Sequence, residues 1–286
     1  MYSDLWVEEK FKDFLGLRLK VEQVLFSGRS EFQTVDVVET KGHGKMLLND
    51  GLIMVTERDE FAYHDMISHV PLFVHPDPKN VLIIGGGDGG TAREVIRHKN
   101  VEKCVMVEID AMVVDACKEF IPQTSAALDD PKIELIIGDG VQYVKEAQQK
   151  FDIIIVDSTD PIGPAQPLFG PEFYQDVYNC LSDKGIVVSQ GESSWYAMDI
   201  QKSLLKVLKD QFPKTMLYSF SNLTYPGGLW SFTFASKGLD PLTNFDPQRV
   251  VDSCLEFEYY NAELHTACFS LPNFVRKGLS ELIDNS

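Results

Sequence analysis

Short apolar runs alternate with amphipathic stretches through the chain after Lys79. The runs are rich in β-branched residues and too short for helices, which is typical of buried strands. The predicted strands cover residues 81–84, 104–109, 133–137, 153–156, 186–189, 216–220 and 230–235. Helices are predicted at 92–98, 112–120, 141–149, after Pro171 and at 199–211. This alternation predicts an α/β fold with a doubly wound parallel sheet, in which ligands bind at the carboxyl ends of the strands.

The region before Lys79 has a different pattern. β-favouring segments at 17–26, 31–40, 45–48 and 52–56 are separated by turn residues. Asp50 and Gly51, between two apolar runs, predict a β-hairpin. We therefore expect a small N-terminal antiparallel β domain over residues 1–58 and an α/β domain over residues 59–286. Residues 8–14 are an exception, because they predict a helical start before the first long strand.

Composition and charge narrow the class of protein. With 286 residues and 44% hydrophobic content, the chain can bury a substantial core. The net charge of -17 argues against nucleic acid or an anionic membrane as partner, and it is compatible with cationic small molecules. No apolar stretch approaches the roughly 20 residues that span a bilayer, and the first residues lack the features of a signal peptide. We expect a cytoplasmic protein.

The cysteines and histidines do not predict a metal site. The cysteines at 104, 117, 180, 254 and 268 form no CxxC pair, and such a scattered, odd-numbered set indicates reduced core residues. His64 and His69 are five residues apart, a spacing that does not place both on one helix face. We therefore expect neither structural zinc nor disulfide bonds.

A glycine loop follows the first predicted strand of the α/β region. Gly85, Gly87 and Gly90 match the dinucleotide fingerprint, which brings backbone N–H groups and a helix dipole against a pyrophosphate. Asp88 would place a carboxylate where the phosphate belongs, so the loop is better suited to a cation. The alternative is that Asp88 only caps the helix that begins near Thr91.

Acidic residues follow each of the first four strands of this sheet. They are Asp88, Glu108, Asp139 and the pair Asp157 and Asp160. Glu108 lies 18 residues after Gly90, close to the roughly 20 expected of a carboxylate that binds ribose hydroxyls, although it could be a solvated acid near a helix start. Asp139, between two glycines, could contact an adenine edge or cap a helix.

Asp157 and Asp160 form the strongest local signal. They follow a buried strand and precede Pro161, Gly163 and Pro164, which break regular structure as a binding loop requires. A primary amine has a pKa of about 10.4 and is protonated at neutral pH, so it must lose a proton before it can attack an electrophile. One carboxylate could accept that proton while the other orients the amine. The alternative is a pair of Asx turns that ends the strand.

These motifs resemble the polyamine aminopropyltransferase family along nearly the whole chain. The matching segments are 29–33, 56–64, 85–90, 107–110, 138–140, 157–164, 190–192 and 225–228. The resemblance implies an N-terminal β domain joined to a methyltransferase-like Rossmann domain. It also implies aminopropyl transfer from decarboxylated S-adenosylmethionine to putrescine, giving spermidine and 5'-methylthioadenosine. It implies no metal or other cofactor and a homodimer or higher homo-oligomer, with a dimer formed through the N-terminal strands.

The resemblance also assigns roles to individual residues. The donor site would contain Gln33, His64, Asp88, Glu108, Asp139, Gly140 and Pro164, with Asp88 at the aminopropyl ammonium. The putrescine site would contain Tyr63, Asp157, Asp160, Gln190 and Tyr225, with Trp6 at its far end. Asp157 would be the catalytic proton acceptor.

Three other functions fit these residues less well. An N-methyltransferase would use intact S-adenosylmethionine, whose carboxylate Asp88 would repel. A non-catalytic polyamine-binding protein would not need the nucleoside pocket indicated by Glu108 and residues 138–140. An NAD enzyme fits least, because of Asp88.

Overall fold

Two β-sheets and the helices around the second sheet make up the fold. The computed structural model describes residues 4–161 and 163–284. The first sheet contains β1 (Leu5–Phe11), β2 (Leu15–Arg29), β3 (Thr34–Thr40), β4 (Gly44–Asn49) and β5 (Leu52–Thr56). These strands pair in chain order, and every pair is antiparallel.

The N-terminal sheet confirms one local prediction and overturns another. Asp50 and Gly51 join β4 to β5 with φ values of 49° and 80°, the left-handed conformations of a two-residue hairpin turn. The helical start predicted for residues 8–14 is wrong, since β1 runs from Leu5 to Phe11 and pairs with β2 along its whole length. Cross-strand hydrogen bonding and packing outweigh the local preference there.

The second sheet has seven strands in the order β11-β12-β10-β9-β6-β7-β8. They are β6 (Asn80–Gly85), β7 (Lys103–Glu108), β8 (Ile133–Ile137), β9 (Phe151–Asp157), β10 (Leu181–Gln190), β11 (Lys214–Ser221) and β12 (Leu229–Ser236). Strands β6 to β10 are parallel, and β12 pairs antiparallel with both β10 and β11. The predicted α/β doubly wound sheet is confirmed.

Helices surround this sheet. They are α1 (Glu60–Val74), α2 (Gly90–Ile96), α3 (Ala111–Phe120), α4 (Pro122–Ser125), α5 (Gly140–Glu146), α6 (Pro171–Cys180), α7 (Met198–Gln211), α8 (Pro247–Ser253), α9 (Ala262–Ala267) and α10 (Asn273–Leu279). Two 3-10 helices cover Ala126–Asp129 and Gly163–Phe169. Within the described residues, no helix has the length and apolar character needed to cross a membrane. All five cysteines are free thiols, and Cys254 is exposed rather than in the core.

The central strands are buried on both faces, which explains their continuous apolar sequences. On β9, Ile153 and Ile155 pack on the side of α1, whereas Ile154 and Val156 pack on the side of α6. Successive strand residues point to opposite faces, so a strand between two helical layers is apolar at every position.

The strand order reverses at β6, and this reversal creates the crevice for a ligand. The chain runs from β6 outward to β7 and β8, then returns to β9 on the other side of β6. Gly85 at the end of β6 pairs with Asp157 at the end of β9. The glycine loop and Asp157 therefore lie together at the topological switch point, where open α/β sheets bind ligands.

Candidate active site

A pocket with a cavity volume of about 190 Å³ opens at this crevice. The N-terminal sheet contributes residues such as Glu9 and Met54 to its wall, and the start of α1 contributes Asp59 and Glu60. The other acidic residues of the wall end or follow strands of the second sheet. The predicted site residues that line it are Gln33, Tyr63, His64, Asp88, Glu108, Asp139, Gly140, Asp157, Asp160, Gln190 and Tyr225. Residues far apart in the chain therefore share one cavity.

Asp157 is held through both of its carboxylate oxygens. Tyr63 Oη donates to Oδ1 at 2.7 Å, and Thr91 Oγ1 donates to Oδ2 at 2.6 Å. Burial and the nearby Asp88 carboxylate raise the pKa of Asp157, while His64 and the two hydroxyl donors act in the opposite direction. A raised pKa brings a carboxylate closer to the range in which it can accept a proton efficiently.

The glycines of the loop allow this close approach. Gly85 has a φ of +84°, and a Cβ atom on it would lie 2.1 Å from the carbonyl oxygen of Asp157. The backbone N–H of Gly86 donates to that same oxygen at 2.9 Å. Only glycine fits position 85, because it lacks Cβ and readily adopts positive φ.

His64 lies between two carboxylates at one end of the pocket. Its Nδ1 is 2.5 Å from Glu60 Oε2, and its Nε2 is 3.3 Å from Asp88 Oδ1. Burial alone would lower the pKa of His64, but Asp88 and Glu60 outweigh burial and raise the pKa to about 10. Asp88 Oδ1 also accepts a 2.8 Å hydrogen bond from Gly90 N, so Asp88 makes a cap-like contact as well as lining the pocket.

Glu108 lies further along the row of strand ends. Its Oε1 accepts a 2.9 Å hydrogen bond from the backbone of Asp110, and burial raises its pKa to about 7. Asp110 in turn accepts hydrogen bonds from the side chains of Ser30 and Gln33 at 2.7 and 3.0 Å. This contact ties the loop before β3 to the second sheet and holds Gln33 at the pocket.

Asp139 caps a helix and also lies in the pocket wall. Its side chain accepts a 2.8 Å hydrogen bond from Val141 N and so caps α5, yet it also lines the pocket. At Gly140, a Cβ atom would lie 2.5 Å from Ile84 Cγ2, so a larger residue would push α5 away from β6. A helix cap and a ligand contact are thus compatible here.

The other end of the pocket contains a second group of acids. Gln190 Nε2 donates to Asp160 at 3.4 Å and to Glu192 at 3.2 Å. Burial raises the pKa of Asp160, and burial together with Asp160 raises that of Glu192 to about 8. Burial also raises the pKa of Glu9 to about 7, although Ile53 N donates to it at 2.9 Å. Burial disfavours the charged form of these carboxyls, and a cationic ligand would stabilise it.

Tyr225 contributes an aromatic wall. Its hydroxyl donates to the carbonyl oxygen of Met54 at 2.7 Å, and its ring meets Tyr63 edge-on with 5.9 Å between centroids. The hydroxyl is therefore used to fix the ring, which is available for apolar contact in the pocket.

Two predicted residues fall outside this arrangement. Trp6 is 43% exposed and is not part of the pocket lining, whereas Glu9 and Phe11 on the same strand are. Side chains alternate along a strand, so Trp6 faces away from the side that Glu9 and Phe11 present. Trp6 therefore does not line the pocket, contrary to its predicted place at the far end of the putrescine site. The side chain of Pro164 lies outside the described part of the structure.

Glu9, Glu60 and Glu192 surround the site but are not among the residues predicted from sequence. Glu60 and Glu192 lie within the segments 56–64 and 190–192, which carry the family resemblance. These segments could therefore have indicated both residues as candidates for the site. Glu9 has no such signal, because its position depends on the pairing of β1 with β2.

Comparison with known proteins identifies the family. Residues 5–57 match a model described as the spermidine synthase tetramerisation domain, and residues 60–247 match the spermine/spermidine synthase domain. A polyamine aminopropyltransferase of Thermotoga neapolitana is 46% identical over 96% of this chain and 94% of the relative. The chain belongs to the spermine/spermidine synthase family. A polyamine aminopropyltransferase of Clostridium perfringens is 47% identical, over 98% of this chain and 99% of the relative.

Solved structures of the family agree with the fold. A spermidine synthase in complex with the transition-state analogue AdoDATO superposes with a TM-score of 0.95 and 45% identity, over 97% of this chain and 95% of that chain. The spermidine synthase of Thermotoga maritima gives a TM-score of 0.92 and 44% identity, over 98% and 95%. The chain is therefore an enzyme of the aminopropyltransferase class, and the family predicted from its motifs is confirmed.

Proposed function

We propose that this aminopropyltransferase uses decarboxylated S-adenosylmethionine as donor and putrescine as acceptor, with Asp157 as the general base. The observation that carries the proposal is the position of Asp157 between two groups of acids in one pocket. Asp88 and Glu108 lie on the side of the glycine loop, and Asp160 lies on the side of Gln190. Two cationic substrates must meet end to end in this pocket, so carboxylates are needed both on the side of the glycine loop and on the side of Gln190.

The reaction is a direct displacement. The lone pair of the amine nitrogen forms the new C–N bond, while the C–S bond breaks and its electrons return to sulfur. The sulfonium loses its charge and leaves as the thioether 5'-methylthioadenosine, and the nitrogen releases a proton. Alignment of the nitrogen with the C–S bond supplies much of the rate acceleration, since it removes the entropy cost of orientation.

Asp157 suits the role of proton acceptor. Burial and Asp88 raise its pKa, so the carboxylate has a stronger tendency to take a proton than a solvated aspartate. The Tyr63 hydroxyl, 2.7 Å from Oδ1, faces the same pocket. An entering amine can replace or share this hydrogen bond, which brings its N–H to the base.

The donor assignment rests on the loop and on Glu108. Glu108 ends β7 and would bind the ribose hydroxyls, while Asp139 and Gly140 would contact the adenine. Asp88 would meet the aminopropyl ammonium. Because the His64 cation lies 3.3 Å from Asp88, repulsion by Asp88 alone does not decide between a decarboxylated and an intact donor.

Assembly is part of the proposal. We expect a homo-oligomer formed through the N-terminal sheet, because residues 5–57 match the tetramerisation-domain model. Leu5, Trp6 and Val24 leave between 43% and 48% of their surface exposed on that sheet, which is apolar area available for a contact. Sedimentation velocity would measure the oligomer, and a monomer at micromolar concentration would contradict this part.

Product analysis tests the proposed function. The purified protein is incubated with putrescine and either decarboxylated or intact S-adenosylmethionine, and products are identified by mass spectrometry. We expect spermidine and 5'-methylthioadenosine from the decarboxylated donor. Methylated putrescine from the intact donor, without spermidine, would overturn the proposal. Cadaverine and spermidine as alternative acceptors would measure the preference for putrescine.

A further inference from the structure

Arg93 and Glu60 form an ion pair directly behind His64. Arg93 Nη1 donates to Glu60 Oε1 at 3.0 Å, and Arg93 Nη2 donates to Glu60 Oε2 at 2.9 Å. The side chain of Glu60 is 3% exposed and that of Arg93 is 21% exposed. A two-pronged contact of this kind fixes the plane of the carboxylate as well as its position.

The fixed carboxylate in turn determines how the His64 ring is oriented. Glu60 and His64 are one helical turn apart on α1, and Glu60 Oε2 lies 2.5 Å from His64 Nδ1. With Nδ1 held, Nε2 on the opposite edge of the ring is directed to Asp88 Oδ1 at 3.3 Å. A continuous series of contacts therefore connects Arg93 to the wall of the pocket.

Charge alternates along this series. Arg93 and the His64 imidazolium are cationic, whereas Glu60 and Asp88 are carboxylates. Without Arg93, the Oε1 atom of Glu60 would retain only the 2.9 Å hydrogen bond from Gln123 Nε2. Glu60 would then lose one of its two cationic partners, and a buried carboxylate in that position is destabilised and shifts toward the partner that remains, His64. The most direct consequence is a change in the orientation of His64 and Asp88.

We infer that Arg93 is a positioning residue for donor binding, which acts through Glu60 and His64 on the carboxylate of Asp88. This inference rests on the proposed function, in which Asp88 receives the ammonium of the donor. Arg93 need not touch the donor, because its contribution is the orientation of the two side chains between them. The effect is therefore specific to a ligand that carries the ammonium.

Equilibrium binding of two ligands separates positioning from general damage to the pocket. Decarboxylated S-adenosylmethionine carries the ammonium, and 5'-methylthioadenosine lacks it. Titration calorimetry without acceptor measures both dissociation constants for wild type, Arg93→Gln, Arg93→Lys and Glu60→Gln. Arg97→Gln is the matched control, since Arg97 pairs with Glu94, which Arg93 Nε also contacts, but leaves the contact between Arg93 and Glu60 intact. Thermal unfolding checks that each variant is folded.

We expect Arg93→Gln to weaken binding of the decarboxylated donor about tenfold and binding of 5'-methylthioadenosine by less than about twofold. Arg93→Lys should recover part of the loss in affinity, because lysine keeps the positive charge but cannot donate to both oxygens of Glu60 in the same fixed geometry. The double variant Arg93→Gln/Glu60→Gln should bind no more weakly than the weaker single variant, since the two residues act in series. Arg97→Gln should match wild type.

Three results would overturn the inference. Wild-type donor affinity in Arg93→Gln would show that the series of contacts has no effect on binding. An equal loss for both ligands would indicate general distortion of the pocket rather than positioning of Asp88. If the wild-type protein already binds both ligands equally, the proposed contact of Asp88 with the ammonium is wrong, and the inference fails with it. If Arg93→Gln does not fold, Arg93→Lys provides the same comparison.

Discussion

Gly85 and Asp157 approach each other so closely that a Cβ atom at position 85 would be 2.1 Å from the Asp157 carbonyl oxygen. The two residues end neighbouring parallel strands, and Gly86 N donates to the same oxygen at 2.9 Å. The position of the proposed base therefore depends on a glycine of the loop. One backbone contact therefore connects the glycine loop to Asp157.

Gly85→Ala should disrupt this contact. The strands must separate to accommodate the methyl group, and alanine is also strained at a φ of +84°. We expect a loss of about 2 kcal/mol or more in the free energy of unfolding, measured in urea, together with loss of most activity. Gly42→Ala is the control, because nothing lies within 4 Å of a Cβ atom there. Equal stability of the two variants would contradict this account.

Tyr63→Phe should shift the pH dependence of turnover. The Tyr63 hydroxyl stabilises the charged form of Asp157 and so lowers its pKa relative to burial alone. Removing the hydroxyl raises that pKa further, and the acidic limb of the kcat profile should move to higher pH. The ring remains packed against Phe232, with 4.9 Å between centroids. Tyr174→Phe is the control, as its hydroxyl contacts Ser189, and an unshifted limb in Tyr63→Phe would count against the role of Asp157.

Glu108→Gln should stabilise the ligand-free protein at alkaline pH and weaken donor binding. Burial raises the pKa of Glu108 to about 7 from 4.5. Between these two pH values, the folded state holds a proton on Glu108 that the unfolded state has released. Its stabilising contribution is present below about pH 4.5 and is lost as the pH rises through 7. At pH 8, the variant should gain on the order of 1 to 3 kcal/mol in unfolding free energy.

Unfolding in urea at pH 5.5 and 8 measures this effect. Glu9 and Glu192 also have raised pKa values, so the comparison is the difference in pH dependence between Glu108→Gln and wild type. Glu134→Gln on β8 is the control, since its side chain is 50% exposed. A variant with the same pH dependence as wild type would show that Glu108 is not the titrating group.

Chelators should leave the rate unchanged. His64, Asp88 and Asp157 have potential ligand atoms within 4.8 Å of one another, which could hold a metal ion. In the protein both carboxylate oxygens of Asp157 accept hydrogen bonds, from Tyr63 and Thr91, and Asp88 Oδ1 accepts one from Gly90 N. We propose that catalysis needs no metal. Activity that falls after treatment with EDTA and returns with one divalent cation would contradict this proposal.

For the second sheet, the order of strands and helices along the chain could be predicted from the sequence. Strands such as β6 and β9 are buried on both faces, so their apolar runs are unbroken and easy to recognise. β1 differs, because its residues favour a strand only once they pair with β2. The incorrect helical start has this cause, whereas the place of Trp6 was implied by the family resemblance and not by the local pattern.

The acidic residues at the strand ends are predictable for a similar reason. Parallel strands end at one edge of the sheet, so Asp88, Glu108 and Asp157 must lie near one another once the sheet is predicted. The contact between Arg93 and Glu60 is different, since it joins two helices whose relative position is set by tertiary packing. The segment 56–64 marks Glu60 as a candidate but does not indicate its partner.

The rate of aminopropyl transfer by Asp157→Asn, measured alongside donor affinity, tests the central claim most directly. Asparagine keeps the shape of the side chain and removes its ability to accept a proton. We predict a fall in kcat of about 10²- to 10⁴-fold with a donor dissociation constant close to that of wild type. A near wild-type kcat in Asp157→Asn would contradict the account, because the base would have to be another residue.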